Sequence, residues 1–222
     1  MFTHAYDGYM KHAFPAGELL PLSCQPGELE LVKLPLITLV DSLDTLAIMG
    51  NASEFRRAAS RLVVQGLDVK ADVEVSVFET NIRLLGGLLS AHLMAADPAL
   101  GLYDTIIDHR RPFANVLLNV AEELGRRLLP AFETPTGIPY GTINLKRGVP
   151  KGETTESSLA GAGSLTLEFS VLSALTGDGR FAEAAERAVS VMFGRRSARL
   201  GLLGKHIDAR TGFWTETDSG VG

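Results

Sequence analysis

Apolar residues recur at helical spacing along most of this chain, in stretches separated by clusters of Gly, Pro or Asp. This spacing, about 3.6 residues, is typical of α-helices that bury one face. The pattern therefore predicts an all-α fold of about seven helices. The predicted helices cover residues 3–14, 36–49, 53–66, 76–96, 112–129, 157–176 and 179–194.

The predicted helices differ in how many of their faces are apolar. In the stretch 179–194, Phe181, Ala185 and Met192 share one stripe, whereas Glu186 lies off it. Such amphipathic helices alternate along the chain with helices that are apolar or small on most faces, which indicates two concentric layers. The apolar helices are 36–49, 76–96 and 157–176, and the amphipathic ones are 53–66, 112–129 and 179–194.

Two stretches interrupt the helical pattern. Residues 134–150 are rich in Pro and Gly around an extended segment, which predicts a short β-hairpin-like excursion. Tyr140 and Asn144 in this excursion fit either contact with sugar rings or a purely structural role. The second extended piece, residues 201–214, contains His206, which has no metal partners at ligand spacing.

Composition bounds the possible partners. The chain has 222 residues, of which 45% are hydrophobic and 21% charged, so it is long enough for one large domain or two small ones. The net charge is -5 and no basic block or stripe is present, which argues against a nucleic-acid partner. Cys24 is the only cysteine, so an intrachain disulfide and a multi-cysteine zinc site are excluded.

Targeting and membrane signals are weak in this sequence. His4 and Asp7 interrupt the apolar run that a signal peptide would need, so we predict no secretory signal in the chain as given. No run approaches the roughly 18 to 20 apolar residues of a membrane span, because Arg83, His92 and Asp97 interrupt the longest candidate. We therefore predict no transmembrane segment.

The stretch 74–96 is an apolar helix that opens with two charged residues, Glu79 and Arg83. Ser76 and Glu79 have the spacing of a capping box, in which each side chain accepts a hydrogen bond from an N–H group at the helix start. Glu79 and Arg83 are also four residues apart, in the order that favours an ion pair on one helix face. The spacing alone fits either helix capping or a catalytic site.

Four further motifs accompany this stretch: Asp41-Ser-Leu-Asp-Thr-Leu46, Leu128-Leu-Pro-Ala-Phe132 with Thr136-Gly-Ile-Pro-Tyr140, Ala160-Gly-Ala-Gly163 with Leu167-Glu-Phe169, and Gly201-Leu-Leu-Gly204. Together the five resemble glycoside hydrolase family 47, the class I alpha-1,2-mannosidases, and within it the ER degradation-enhancing alpha-mannosidase-like branch. The resemblance spans nearly the whole chain.

The resemblance implies an (alpha/alpha)7 barrel whose inner helices converge on the active site. Residues 1–222 are then expected to be the N-terminal portion of a single barrel domain, a partial barrel of about seven helices truncated at its C-terminus. In such an arc, the apolar flank around residues 165–175 would face water.

The resemblance also implies roles for individual residues. Glu79 matches the family's general acid, and Arg83 matches a sugar contact. Asp41 and Asp44 could line the substrate pocket, and we take Asp44 as the candidate for this role. Alternatively, the two residues could cap the helix start and pair with a neighbouring basic residue. Glu168 is interpreted as part of a structural pair. The family's base carboxylate and the threonine that coordinates Ca²⁺ are expected outside this chain, so no metal ligand is predicted within it.

Partners and location follow from the same resemblance. It implies high-mannose N-glycoproteins as substrates, in glycoprotein quality control and ER-associated degradation in the endoplasmic reticulum lumen. Asn51-Ala-Ser53 is an N-glycosylation acceptor if the chain enters the secretory pathway. Cys24 remains available for pairing with another chain, such as a redox partner.

Two other functional classes remain open. The chief alternative is a non-catalytic protein that binds mannose glycans or misfolded glycoproteins, in which Glu79 survives as a hydrogen-bonding group. A helical scaffold unrelated to sugar would need repeats at a fixed period, and the sequence has none.

Overall fold

The computed structural model describes residues 1–102 and 112–220, and its helices lie where the sequence pattern predicts them. Two predicted helices are interrupted: the stretch 76–96 changes to π-helical geometry at Thr80–Leu85, and the stretch 157–176 is broken between Gly163 and Thr166. The α-helices are α1 Phe2–His12, α2 Ile37–Ile48, α3 Ala52–Gln65, α4 Val77–Glu79, α5 Gly86–Ala96, α6 Pro112–Leu128, α7 Leu159–Gly163, α8 Thr166–Thr176 and α9 Arg180–Gly194.

The chain divides into two compact units. The first comprises residues 1–69 and 83–121, and the second comprises residues 70–82 and 122–222. The strands are short: β1 Glu18–Leu20, β2 Gln25–Gly27, β3 Glu74–Ser76, β4 Thr142–Asn144, β5 Glu156–Ser158, β6 His206–Asp208 and β7 Trp214–Glu216.

In the first unit, α2 packs against both α3 and α5. Leu43 of α2 and Phe55 of α3 are fully buried in this core. Gly87 of α5 lies so close to α2 that a Cβ atom built on it would be 2.6 Å from Cγ1 of Val40. Only glycine therefore allows these two helices to approach this closely.

Also in the first unit, α1 packs against the hairpin formed by β1 and β2. The hydroxyl of Tyr9 donates a hydrogen bond to the carbonyl oxygen of Ala16 at 2.8 Å. Burial raises the pKa of the Tyr9 hydroxyl to about 12. This side chain therefore stays neutral and ties the segment that leads into β1 to the helix.

In the second unit, α8 packs against α9, and the end of α6 packs close to both. A Cβ atom on Gly125 would lie 2.4 Å from Leu172 and 3.0 Å from Phe181. Phe169 and Phe181 meet edge to face with ring centroids 5.9 Å apart. The predicted amphipathic stripe of α9 is confirmed, because its buried residues are Phe181, Ala185, Ala188 and Met192.

One flank of α8 is exposed to solvent. Leu167 is 69% exposed, in the flank that was expected to face water. Within the described residues, the length and composition of the stretch Leu159–Thr176 would allow it to cross a membrane. In this structure 22% of the stretch is buried. The prediction that no stretch reaches this threshold was therefore wrong, although Glu168 and the break between α7 and α8 interrupt it.

The β-hairpin-like excursion at residues 134–150 was only partly predicted. Asn144 and Gly148 exchange two backbone hydrogen bonds and close a tight turn. The strand β4, however, pairs antiparallel with β3, from far earlier in the chain. Local turn signals predict a hairpin with the next strand, whereas this pairing is set by tertiary structure. The second extended piece forms β6 and β7, which with β5 make a three-stranded sheet.

Candidate active site

Glu79 lies at the last position of a short helix that begins directly after a strand of the second unit. Ser76 ends β3 in extended geometry, and its hydroxyl accepts a hydrogen bond from the backbone N–H of Glu79 at 3.3 Å. The N–H of Val77 donates to the carbonyl oxygen of Gly141 at 2.9 Å. The predicted Ser cap is therefore present. The strand and the cap together fix the start of the short helix that ends at Glu79, a half-buried residue.

A π-helix, Thr80–Leu85, follows Glu79 immediately. Such helices are rare, occur mostly as a single turn inserted in an α-helix, and are frequent at functional sites. The sequence predicted one unbroken α-helix here, because apolar periodicity does not distinguish the two hydrogen-bond patterns over a single turn.

The first two residues of the π-helix place buried polar groups beside the candidate acid. Thr80 and Asn81 are both completely buried. The side-chain amide of Asn81 donates a hydrogen bond to Oε2 of Glu168 on α8 at 2.8 Å. Among the described residues, Thr80 Oγ1 and Asn81 Oδ1 have no hydrogen-bond partner. The prediction that Glu168 belongs to a pair is confirmed, but sequence reasoning did not identify Asn81 as its partner.

In the first unit, Arg83 is paired with the carboxylate of Asp41 on α2. Arg83 Nη1 and Asp41 Oδ2 are 3.3 Å apart, and the two side chains are 38% and 34% exposed. Asp41 and Asp44 lie one turn apart on the same face of α2. Asp44 Oδ2 accepts a hydrogen bond from the hydroxyl of Ser90 on α5 at 3.5 Å.

One alternative for these two aspartates was wrong. Helix α2 begins at Ile37, its N-cap is Leu36, and its first turn contains no acidic residue. Asp41 and Asp44 therefore do not cap the helix start. The alternative of pairing with a basic neighbour is correct for Asp41, whereas Asp44 is held by a hydroxyl.

Asn51 is exposed and caps the N-terminus of α3. Its Oδ1 atom accepts hydrogen bonds from the backbone N–H of Glu54 at 3.3 Å and from the hydroxyl of Ser53 at 3.2 Å. N-glycosylation modifies Nδ2 rather than Oδ1. The capping role and a glycan on this residue are therefore chemically compatible.

An open cleft of about 740 Å³ lies in the second unit and includes the half-buried ring of Tyr140. Arginine side chains give it a basic appearance, but carboxylates neutralise them. Each ion pair is between 2.6 and 2.9 Å long: Arg126 with Glu122, Arg127 with Glu123, and Arg147 with Asp72. These pairs form a polar surface of nearly balanced charge, which does not favour anionic ligands.

Asn144, the other candidate sugar contact of the excursion, has a structural role. Its side-chain N–H donates to Asp72 Oδ1 at 2.9 Å, and its Oδ1 accepts from the backbone N–H groups of Lys146 and Arg147. The hydrogen bond from Asn144 lowers the pKa of the Asp72 carboxyl group. Both ends of the amide are thus engaged, and the side chain is buried.

The described residues contain no group of three or more His, Cys, Asp or Glu side chains able to hold a metal ion. By themselves, the described residues therefore do not fit a carboxylate-built calcium site. His206 Nδ1 lies 3.0 Å from Glu216 Oε2 in the sheet of β5, β6 and β7. Cys24 is an exposed free thiol.

The fold matches that of a helical alpha-mannosidase. An alpha-1,2-mannosidase from Trichoderma reesei gives a TM-score of 0.84 at 31% identity, with 98% of this chain and 44% of that chain covered. The chain belongs to glycosyl hydrolase family 47, whose sequence profile matches residues 1–222. The family predicted from the motifs around Glu79 is therefore confirmed.

Curated relatives align with all or nearly all of the chain. Alpha-mannosidase I MNS4 of Arabidopsis thaliana is 52% identical, with 100% of this chain and 34% of the relative covered. The human ER degradation-enhancing alpha-mannosidase-like protein 2 is 46% identical, with 100% and 37% covered. The human endoplasmic reticulum mannosyl-oligosaccharide 1,2-alpha-mannosidase is 38% identical, with 97% and 28% covered. The chain thus spans about a third of the length of these relatives.

Proposed function

We propose that this protein is an inverting alpha-1,2-mannosidase that trims high-mannose N-glycans, and that Glu79 donates the proton to the leaving oxygen. The observation that carries this proposal is the setting of Glu79 in a family 47 chain: a half-buried carboxyl group at a capped helix start, followed at once by a π-helix. We further propose that residues 1–222 are part of a single (alpha/alpha)7 barrel domain.

Inverting hydrolysis uses two carboxyl groups on opposite faces of the sugar. One is protonated and gives its proton to the glycosidic oxygen, and the other activates a water molecule, at a separation of about 6.5 to 9.5 Å. We assign only the first role in this chain. The general acid accounts for roughly two to four orders of magnitude of the rate.

We propose that Arg83 and Asp44 contact the sugar. The guanidinium of Arg83 has five N–H donors in a fixed plane, and one of them is directed to Asp41. A planar fork of donors of this kind suits the hydroxyl groups of a hexose. Asp44, one turn from Asp41 on α2, offers carboxylate oxygens that can accept hydrogen bonds from such hydroxyl groups.

The names of the relatives support a place in glycoprotein quality control. The human relative that is 46% identical is called an ER degradation-enhancing alpha-mannosidase-like protein. We therefore propose that this protein acts in the endoplasmic reticulum lumen on high-mannose glycoproteins, and that Asn51 carries a glycan there. The exposed thiol of Cys24 is accessible to a redox partner.

The test is mannose release from a high-mannose oligosaccharide by the protein at its full natural length. NMR detection of the free sugar should show beta-mannose first, because the substrate linkage is alpha and the reaction inverts it. The Glu79→Gln variant should bind the oligosaccharide but release mannose far more slowly. Binding without release by the wild-type protein would instead support the non-catalytic alternative, and alpha-mannose as first product would exclude inversion.

A further inference from the structure

Asn81 is a buried polar residue in a position where an apolar residue would be expected. It is fully buried, two residues after the candidate acid and within the second unit. The helical stretch around it is otherwise rich in apolar side chains. Because a buried amide must exchange its water contacts for protein contacts, such a residue destabilises the fold unless its hydrogen bonds are all replaced.

For Asn81 this replacement is incomplete. Its Nδ2 donates to Glu168 Oε2 at 2.8 Å, but among the described residues its Oδ1 has no partner. A leucine of similar size would avoid this unsatisfied acceptor. Stability alone therefore does not explain the asparagine, and a polar group that is costly to bury is a candidate for a functional role.

The hydrogen bond to Glu168 joins the turn after Glu79 to α8, across 87 residues of sequence. This turn is π-helical, which is a less favoured geometry than the α-helix. One residue corresponds to about 100° of rotation around an α-helix. If the turn relaxed to α-helical geometry, β3 and the Ser76 cap would still hold the start of the helix, but the carboxyl group of Glu79 would point in a different direction relative to the residues that follow the turn.

We infer that Asn81 is a positioning residue for Glu79, and that its hydrogen bond to Glu168 holds the π-helical turn that orients the acid. This inference rests on the proposed function, because it requires that Glu79 act as the proton donor. Asn81 itself acts without touching the substrate or the reacting atoms. A misplacement of about 1 Å at a reacting group can cost about 100-fold in rate.

The first experiment compares Asn81→Leu with Thr80→Val in the protein at its full natural length. Both variants remove a buried polar group from the same turn, but only Asn81 is bonded to Glu168. We expect Asn81→Leu to lower kcat about 10- to 100-fold with KM and the unfolding temperature nearly unchanged. Thr80→Val should keep the wild-type kcat. An equal loss of kcat in both variants would overturn the inference, because any change in the turn would then suffice.

The second experiment is a double-mutant cycle with Glu168→Leu. If Asn81 acts through Glu168, Asn81→Leu should cause no further loss of kcat in a Glu168→Leu background. Independent, additive losses would show that Asn81 acts by another route and would overturn the inference.

The two proposals fail in different ways. Absence of mannose release by the wild-type protein, or full activity of Glu79→Gln, refutes the proposed function. Active wild type, inactive Glu79→Gln and fully active Asn81→Leu would refute only the positioning role.

Discussion

Arg83 and Asp41 form an ion pair between the π-helix and α2, with Nη1 and Oδ2 at 3.3 Å. About a third of each side chain is exposed, and ion pairs this accessible to solvent contribute only about 0 to 1 kcal/mol to stability. The pair therefore does little to hold the first unit together. Its main physical effect is on geometry, because the carboxylate restricts the directions in which the planar guanidinium can point.

A change at Arg83 should separate charge from geometry. Arg83→Lys keeps the positive charge but loses the planar fork, so we expect weaker glycan binding with unchanged helical circular dichroism. Asp41→Asn is the matched control: it keeps an oxygen that accepts from Arg83, and it should weaken binding less. Direct measurement of oligosaccharide affinity tests both variants. Wild-type affinity in Arg83→Lys would exclude Arg83 from the sugar site.

A pair of changes at the start of α4 should separate catalysis from capping. Glu79→Gln should lower mannose release by about two to four orders of magnitude, with the unfolding temperature nearly unchanged. Ser76→Ala removes the hydroxyl that accepts from the Glu79 N–H and should cost about 0.5 to 2 kcal/mol of stability. Thermal unfolding and an activity assay on both variants check this. Full activity in Glu79→Gln combined with a lower unfolding temperature would make Glu79 a structural cap only.

The helical fold was predictable because its signals are local. The amphipathic stripe of α9 and the cap at Ser76 each depend on residues within a few positions of one another. The pairing of β3 with β4 was not predictable, because the paired residues Val75 and Ile143 are far apart in sequence and no turn joins them directly.

The sequence alone led us to propose the residues of the candidate site, whereas it did not predict their contacts. Glu79 and Arg83 stand out as charges at the start of an apolar helix. The bond between Asn81 and Glu168 has no such signal, because the spacing of 87 residues reflects packing of α8 and not a sequence period. Likewise, a glycine at position 87 indicates only a lower helix propensity in the sequence. The structure shows that Gly87 is needed there because Val40 packs against it.

The close approach of α5 to α2 predicts a cost for a single methyl group. In Gly87→Ala, the gain in helix propensity, up to about 1 kcal/mol, is opposed by the clash with Val40, whose branched side chain has little rotamer freedom. Overpacking typically costs about 1 to 3 kcal/mol, so the unfolding temperature should fall. Val40→Ala should rescue part of the loss. Gly194→Ala, where a Cβ meets open space, is the control and should be neutral or stabilising.

Asp208 predicts a loss of stability in acid. A hydrogen bond from the Thr155 hydroxyl and then one from the Thr211 N–H lower the pKa of the Asp208 carboxyl group to about 2. An ordinary aspartate titrates near pH ~4 in the unfolded chain. This stabilisation is therefore present above pH ~4 and is lost as the pH falls through about 2.

The measurement for Asp208 is the unfolding temperature between pH 5 and pH 2. The wild-type protein should lose more stability over this range than Asp208→Asn, which lacks the titrating group. The comparison between the two is needed because the pKa of Asp178 is also lowered to about 2, by Arg180. Parallel curves for the two proteins would show that Asp208 does not contribute.

The cap at Asn51 predicts different outcomes for two ways of removing the same glycosylation acceptor. Asn51→Ala removes both the sequon and the oxygen that accepts from the Glu54 N–H, so it should abolish the glycan and cost about 0.5 to 2 kcal/mol. Ser53→Ala destroys the sequon but leaves the capping oxygen in place, so it should abolish the glycan with a much smaller effect on α3. Expression in a eukaryotic secretory system, with mobility measured before and after enzymatic deglycosylation, reports the glycan, and thermal unfolding reports the cap. An unchanged mobility shift in Ser53→Ala would show that the glycan is attached elsewhere, and equal destabilisation in both variants would show that the oxygen of Asn51 does not cap the helix.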